Sequence, residues 1–394
     1  MTGTRFKIYL PGFAEPQTIL VKGRPGTIAA GPRGRGIRVV DARHIDGTRA
    51  GNKPPYKDEF TGLSRTRPPW RGDAHAPAQP IRGHFDKARV GSRAFTAAAA
   101  YATVRSVLDL WERIFGHPLP WFFRESYRHL EVIPRVDSKN SWSGEGFIEC
   151  GFARPRRERR PMGENFDVVA HETGHLILKT VIGNPVDDQK TLVYRAHEEG
   201  AADLVALVAA MYFDGVLERV LDATRGKLWT PNALSRIGES RTPRIPGARR
   251  LFNQRQLKSR DLEKAWREYD KHTYALPWTG ALYDIFNVFY HDRLAQIGVA
   301  VAPGAARTTR DRLAKTQDRF PASFARDRAL FVRAACQARD DFARLLATYW
   351  QATSPQGFSY ERAALNVLGA DRVLRDGRHG AVIRELFVWR RIYI

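Results

Sequence analysis

Asp167-Val168-Val169-Ala170-His171-Glu172-Thr173-Gly174-His175 is the stretch of this 394-residue chain from which the rest can be read. Histidines four residues apart on a helix lie one turn apart and point the same way. Two neutral imidazoles so placed can grip one metal ion, with Glu172 beside a metal-bound water. A His-Glu-x-x-His match alone is a moderate signal, and its surroundings strengthen it. Upstream, Glu164-Asn165-Phe166-Asp167 places acidic residues at a helix start, as helix termini prefer. Apolar spacing runs through Val168, Val169, Leu176, Ile177 and Leu178, and Gly183-Asn184-Pro185 ends the element. The motif is therefore expected on an amphipathic helix whose apolar back anchors it in a core.

A second helix offers a third ligand. His197-Glu198-Glu199-Gly200-Ala201-Ala202-Asp203 begins polar and runs into an apolar stretch from Leu204 to Phe213, read as a buried helix. Glu199 and Asp203 share one face. A catalytic zinc site needs three protein ligands and an open position. Glu199 fills the third place, with Glu198 as its competitor. Asp203 can accept a hydrogen bond from the non-ligating nitrogen of a ligand histidine. An acid on such an apolar helix is costly unless paired or ligating. The plainer reading is that Glu198 and Glu199 simply favour a helix N-terminus.

Carried by Asp167 to His175 and by the Glu199-x-x-x-Asp203 pair, the sequence resembles the thermolysin-like gluzincin metallopeptidases. A looser likeness extends upstream. Ala97 to Phe115 resembles the long helix before that family's active-site strands. Asn140-Ser141-Trp142-Ser143-Gly144 resembles its edge strand over the cleft. The resemblance covers roughly residues 94–210, with a fainter trace near 272–290. It implies an α+β zincin: a mixed N-terminal lobe, a mainly helical C-terminal lobe and an active-site cleft between. It also implies that His171, His175 and Glu199 bind one zinc per chain. Glu172 would be the general base, and Asp203 would orient His171. The family's oxyanion-stabilising Tyr and His would fall on Tyr194 and His272, with Tyr274 the other candidate for the second role. Asn140 and Trp142 would hold substrate backbone, although a Trp beside small residues is often only a strand-turn anchor. Metzincins are excluded, since they need a Gly at 178 and a His at 181, where this chain has Leu178 and Val181. Calcium is doubtful: Asp214 and Glu218 are poorly placed as partners for Asp167, which reads as a helix-terminal acid.

Composition bounds the remainder. With 43% hydrophobic and 27% charged residues, the chain reads as globular and large enough for two lobes. It has no apolar run of 18 residues, so no membrane span is expected. Cys150 and Cys336 suggest neither a metal pair nor a disulfide framework. The first ten residues lack the apolar core of a signal peptide, which favours the cytoplasm; signal-independent export is the other route. The net charge is +22, with arginines dense at Arg154 to Arg160 and again from Arg236 to Arg250. Such a field attracts polyanions or acidic substrates. No nucleic-acid fold signature accompanies it, and solvated loops are the plain explanation. A peptide or protein substrate is therefore expected, with acidic residues favoured. Nucleic-acid contact through the Arg-rich loops is the less favoured partner.

Residues 1–92 read as a loop-rich segment with short strands at Phe6 to Leu10, Thr18 to Val21 and Ile37 to Val40. Residues 93–222 read as the catalytic lobe and 223–394 as a helical lobe. Helices are expected at 93–116, Asp261 to Tyr269, Gly280 to Ile297, Arg307 to Arg319, Ser323 to Ala352 and Tyr360 to Val373. Glu131 to Pro134 and Gly146 to Gly151 read as two strands of a hairpin-like region, and Ile383 to Ile394 as a strand or tail. The leading functional reading is a zinc endopeptidase. Against it stand a basic nucleic-acid or anionic-surface binding protein with a structural zinc, and a structural or inactive relative with an occluded cleft.

Overall fold

The structure is a computed structural model that describes residues 3–43, 56–57, 64–65, 68–138, 140–152, 161–236, 251–299 and 307–394. The fold is mixed α+β, with a small sheet and a helical C-terminal region. The described residues fall into two compact units. The first holds all the strands, the first helix up to Glu112 and the second up to Thr180. The second holds Arg113–His117 and the described residues from Val181 onward.

In the first unit, β1 (Gly3–Ile8) and β2 (Gln17–Lys22) pair antiparallel, with Phe6 opposite Ile19. Their alternation is that of a one-sided ribbon: Thr4, Phe6 and Ile8 are buried, as are Ile19 and Val21. Then come β3 (Arg33–Gly34), β4 (Ile37–Val39), β5 (Tyr56–Lys57) and β6 (Ser64–Arg65). Next is helix α1 (Arg93–Phe115), whose alanines let it sit buried over most of its surface. Phe6 stacks on Tyr101 of α1 at 5.7 Å, and the Tyr101 hydroxyl donates to the Gly34 carbonyl. After α1 come β7 (Leu130–Ile133), β8 (Trp142–Gly144) and β9 (Phe147–Glu149). The main sheet has the order β3-β4-β7-β9-β8.

One expectation is corrected here. β7 and β9 are parallel neighbours, and the hairpin is β8 with β9. Both β7 and β9 are buried at every residue, so neither shows the alternation of a one-faced hairpin. β4 lies in the main sheet, parallel to β7, and residues 3–43 share a unit with most of α1. Such pairing is non-local, and spacing along the chain carries no trace of it. At the sheet's other end, β8 is the outer strand.

Helix α2 (Phe166–Val181) comes after a short 3-10 turn at Met162–Glu164. The second unit begins just beyond it and contains α3 (Leu192–Met211), α4 (Val216–Thr224), α5 (Arg260–Arg267), α6 (Lys271–Tyr274), α7 (Leu276–Gln296), α8 (Thr309–Gln317), α9 (Phe320–Gln351), α10 (Tyr360–Arg375) and α11 (Gly380–Trp389). α7 is buried around most of its surface, as befits a central helix. α9 packs on it through Phe342 against Phe286, and bends where Asp327 leaves helical geometry. The expected C-terminal strand or tail is helix α11. Ile383, Leu386, Phe387 and Arg390 form its buried side, at helical spacing. Arg390 is fully buried because Asp284 and Asn253 accept its hydrogen bonds; a charge at that place disguised the helical stripe. Among the described residues, no helix is long and apolar enough to cross a membrane.

Candidate metal centre

α2 starts from Asn165, whose Oδ1 accepts the Asp167 and Val168 amides at 2.9 and 3.4 Å. That satisfies two of the donors a helix start leaves open. The apolar side of α2, including Val169, Leu176 and Ile177, is fully buried. Its other side presents His171, 5% exposed, and His175, half-buried. Their Nε2 atoms lie 3.1 Å apart, with the rings edge to face. Two imidazole nitrogens this close need a shared proton or a cation between them. Tetrahedral zinc–nitrogen bonds would set such atoms about 3.3 Å apart, so the pair fits a zinc ion.

Glu172 is 7% exposed, and the Ser143 hydroxyl of β8 donates to its Oε2 at 2.9 Å. Thr173 is spent inside the helix, donating to the Val169 carbonyl. Cys150, fully buried, has its thiol pushed far above the ordinary range by burial and then by the Glu172 charge, so it stays protonated. Cys150 and Cys336 are both free. On the outer strand, Trp142 pairs with Glu149 and is half-buried. Asn140 precedes the strand, exposed, with its amide donating to the Ser138 hydroxyl.

On α3, Glu199 is 3% exposed and Asp203 is 2% exposed. Both come from a helix capped by Thr191, whose hydroxyl oxygen accepts the Tyr194 amide. Lys271 Nζ lies 2.7 Å from Glu199 Oε1, and His272 Nδ1 lies 3.1 Å from Oε2 without the alignment of a hydrogen bond. Both groups stand on the short helix α6, which Asp270 caps by accepting the His272 and Thr273 amides. The Glu199 charge, outweighing burial, holds the Lys271 ammonium above its usual range.

One nitrogen each from His171 and His175 and one carboxylate oxygen of Glu199 lie within 4.8 Å of one another, a set that could hold a metal ion. The other expected residues stand differently. His272 is at Glu199. Tyr194 is 1% exposed, with its hydroxyl directed to the Gly183 carbonyl and its ring edge-on to Phe358. Burial raises the pKa of that hydroxyl strongly, so it stays protonated. Tyr274 stacks on Tyr360. His197, two residues before Glu199, is fully buried among Trp278, Tyr349 and Phe358. Burial lowers its pKa to about 3, so it remains neutral. Residues 153–160 and 237–250, which carry both arginine-dense stretches apart from Arg236, lie outside the described residues.

Two residues that bear on the site, Ser143 and Lys271, carry no signal of their own in the sequence. A serine on a short strand and a lysine in a polar helix are ordinary; only tertiary contact gives them partners. No family model and no curated protein matches the chain.

Proposed function

We propose that the protein is a zinc-dependent peptidase of the thermolysin-like kind, most simply an endopeptidase. The observation that carries this reading is the grouping of His171, His175 and Glu199, with Glu172 next to the first histidine on the same helix. Bound by that set, zinc supplies an acidified water and polarises the scissile carbonyl. The rest belongs to the side chains. Glu172 accepts the proton of the attacking water and returns it to the leaving amine. Its Oε2 is engaged by Ser143, so Oε1 is the oxygen available for that exchange. Asp203, buried one turn beyond Glu199, suits the orienting of a ligand imidazole. His272 keeps 43% of its side chain exposed and is the residue we assign to donating a hydrogen bond to the developing oxyanion. Trp142 lies on the sheet's outer strand and Asn140 just before it, where an extended peptide can add backbone hydrogen bonds.

Metal analysis paired with peptide-library hydrolysis, on wild type and Glu172→Gln, tests this. The expected result is one zinc per chain in both proteins and cleavage by the wild type alone. The library also reads the expected preference for acidic residues; equal cleavage of acidic and basic peptides removes that part. A well-folded protein that binds no zinc would overturn the reading as a whole.

A further inference from the structure

We infer that Ser143 is a positioning residue for Glu172, holding the general base in its working orientation; this rests on the peptidase reading above. The contact is direct: Ser143 Oγ donates to Glu172 Oε2 at 2.9 Å. It comes from a strand whose place is fixed. Trp142, Ser143 and Gly144 pair with Glu149, Ile148 and Phe147 of β9, itself fully buried. At Gly144 an added Cβ would lie 2.6 Å from the Phe147 ring, so the strand lies tight against its neighbour and has little room to slide. Successive side chains on a strand alternate in direction. Ser143 therefore points opposite to Trp142 and Gly144, and its hydrogen bond identifies that direction as the Glu172 side.

Neighbouring hydroxyls are committed elsewhere. Ser141 Oγ contacts Met162 Sδ at 3.2 Å, and Thr173 Oγ1 donates to the Val169 carbonyl at 2.7 Å. A carboxylate that is 7% exposed needs a donor, and a free one can rotate about its last bonds. A single neutral hydroxyl on one oxygen fixes the plane of the group and leaves its negative charge uncancelled. A general base needs that combination: orientation without loss of charge.

Ser143→Ala is expected to lower kcat by about tenfold or more, as a misplaced catalytic group does, with KM little changed. Zinc content and affinity should stay at wild-type values, because Ser143 touches the base and no ligand. Ser143→Thr keeps the hydroxyl and should recover most of kcat. A second readout uses metal-free protein and no activity. The thermal midpoint lost on Ser143→Ala should vanish in a Glu172→Ala background, where the acceptor is gone. Unchanged kcat in Ser143→Ala, or an equal midpoint loss in both backgrounds, would overturn the inference. A wild type that binds zinc but cleaves no peptide would remove the peptidase reading and the catalytic role with it. The thermal cycle would still decide whether the pairing exists.

Discussion

Glu172 and Glu199 are both buried carboxylates, yet their surroundings differ in kind. In the strand-bearing unit, Glu172 is held by the neutral hydroxyl of Ser143. In the helical unit, Glu199 has an ammonium at 2.7 Å and an imidazole at 3.1 Å. A hydroxyl orients a carboxylate and leaves it a base. An ammonium compensates its charge, as a buried acid requires until a metal ion does so. Two acids of one type thus stand in surroundings that suit the two roles proposed for them.

The sharpest way to break that contrast is to neutralise each acid in turn. Glu172→Gln should cost hydrolysis about 10²- to 10⁴-fold, the usual worth of general acid–base catalysis, while keeping one zinc per chain. Glu199→Gln should instead lower zinc content, with activity falling in parallel. Metal analysis and peptide turnover on the same samples separate the two. If Glu172→Gln loses the metal and Glu199→Gln keeps it, the roles are assigned the wrong way round.

Lys271→Met probes the other half of the comparison. Removing one partner of a buried ion pair costs about 3–5 kcal/mol. Lys271 is 39% exposed, so solvent screening brings the expected loss nearer about 1–3 kcal/mol. The loss should appear in metal-free protein and shrink when zinc is added, because the ion then compensates Glu199. Thermal unfolding with a chelator and with zinc measures both states. Equal losses in the two would mean that Lys271 does not stand in for the metal.

Much of this site could be read along the chain, for a physical reason. Helical spacing is local, so His171, Glu172 and His175 declare a shared turn, and so do Glu199 and Asp203. Helix α2 begins and ends close to where its acidic start and apolar spacing place it, whereas α3 begins at Leu192, a turn and more before the polar start read at His197. What escaped was non-local. The parallel pairing of β7 with β9, and of β4 with β7, is set by tertiary packing. α11 was hidden because its fourth inward position is Arg390, a charge satisfied by Asp284 and Asn253 from far upstream. Ser143 and Lys271 were hidden in the same way, since each acquires a role only from a partner distant in sequence.

The smallest effect expected lies in the caps, and it tests whether the two acid-bearing helices depend on their starts alike. Asn165 Oδ1 accepts two amides of α2, and Thr191 Oγ1 accepts one of α3. Replacing either residue by alanine should cost about 1 kcal/mol of stability, the usual worth of an N-cap. The consequence for the metal should differ. α2 carries two of the three candidate ligands and the proposed base, beginning six residues after Asn165. α3 carries one ligand, eight residues after Thr191. Fraying propagates from the first turn, so Asn165→Ala should weaken zinc binding more than Thr191→Ala at equal loss of stability, and Asn165→Asp should restore it. Zinc titration alongside thermal unfolding of the three variants gives the comparison. Equal zinc affinities at equal stability would show that packing of the apolar face alone holds His171 and His175 in place.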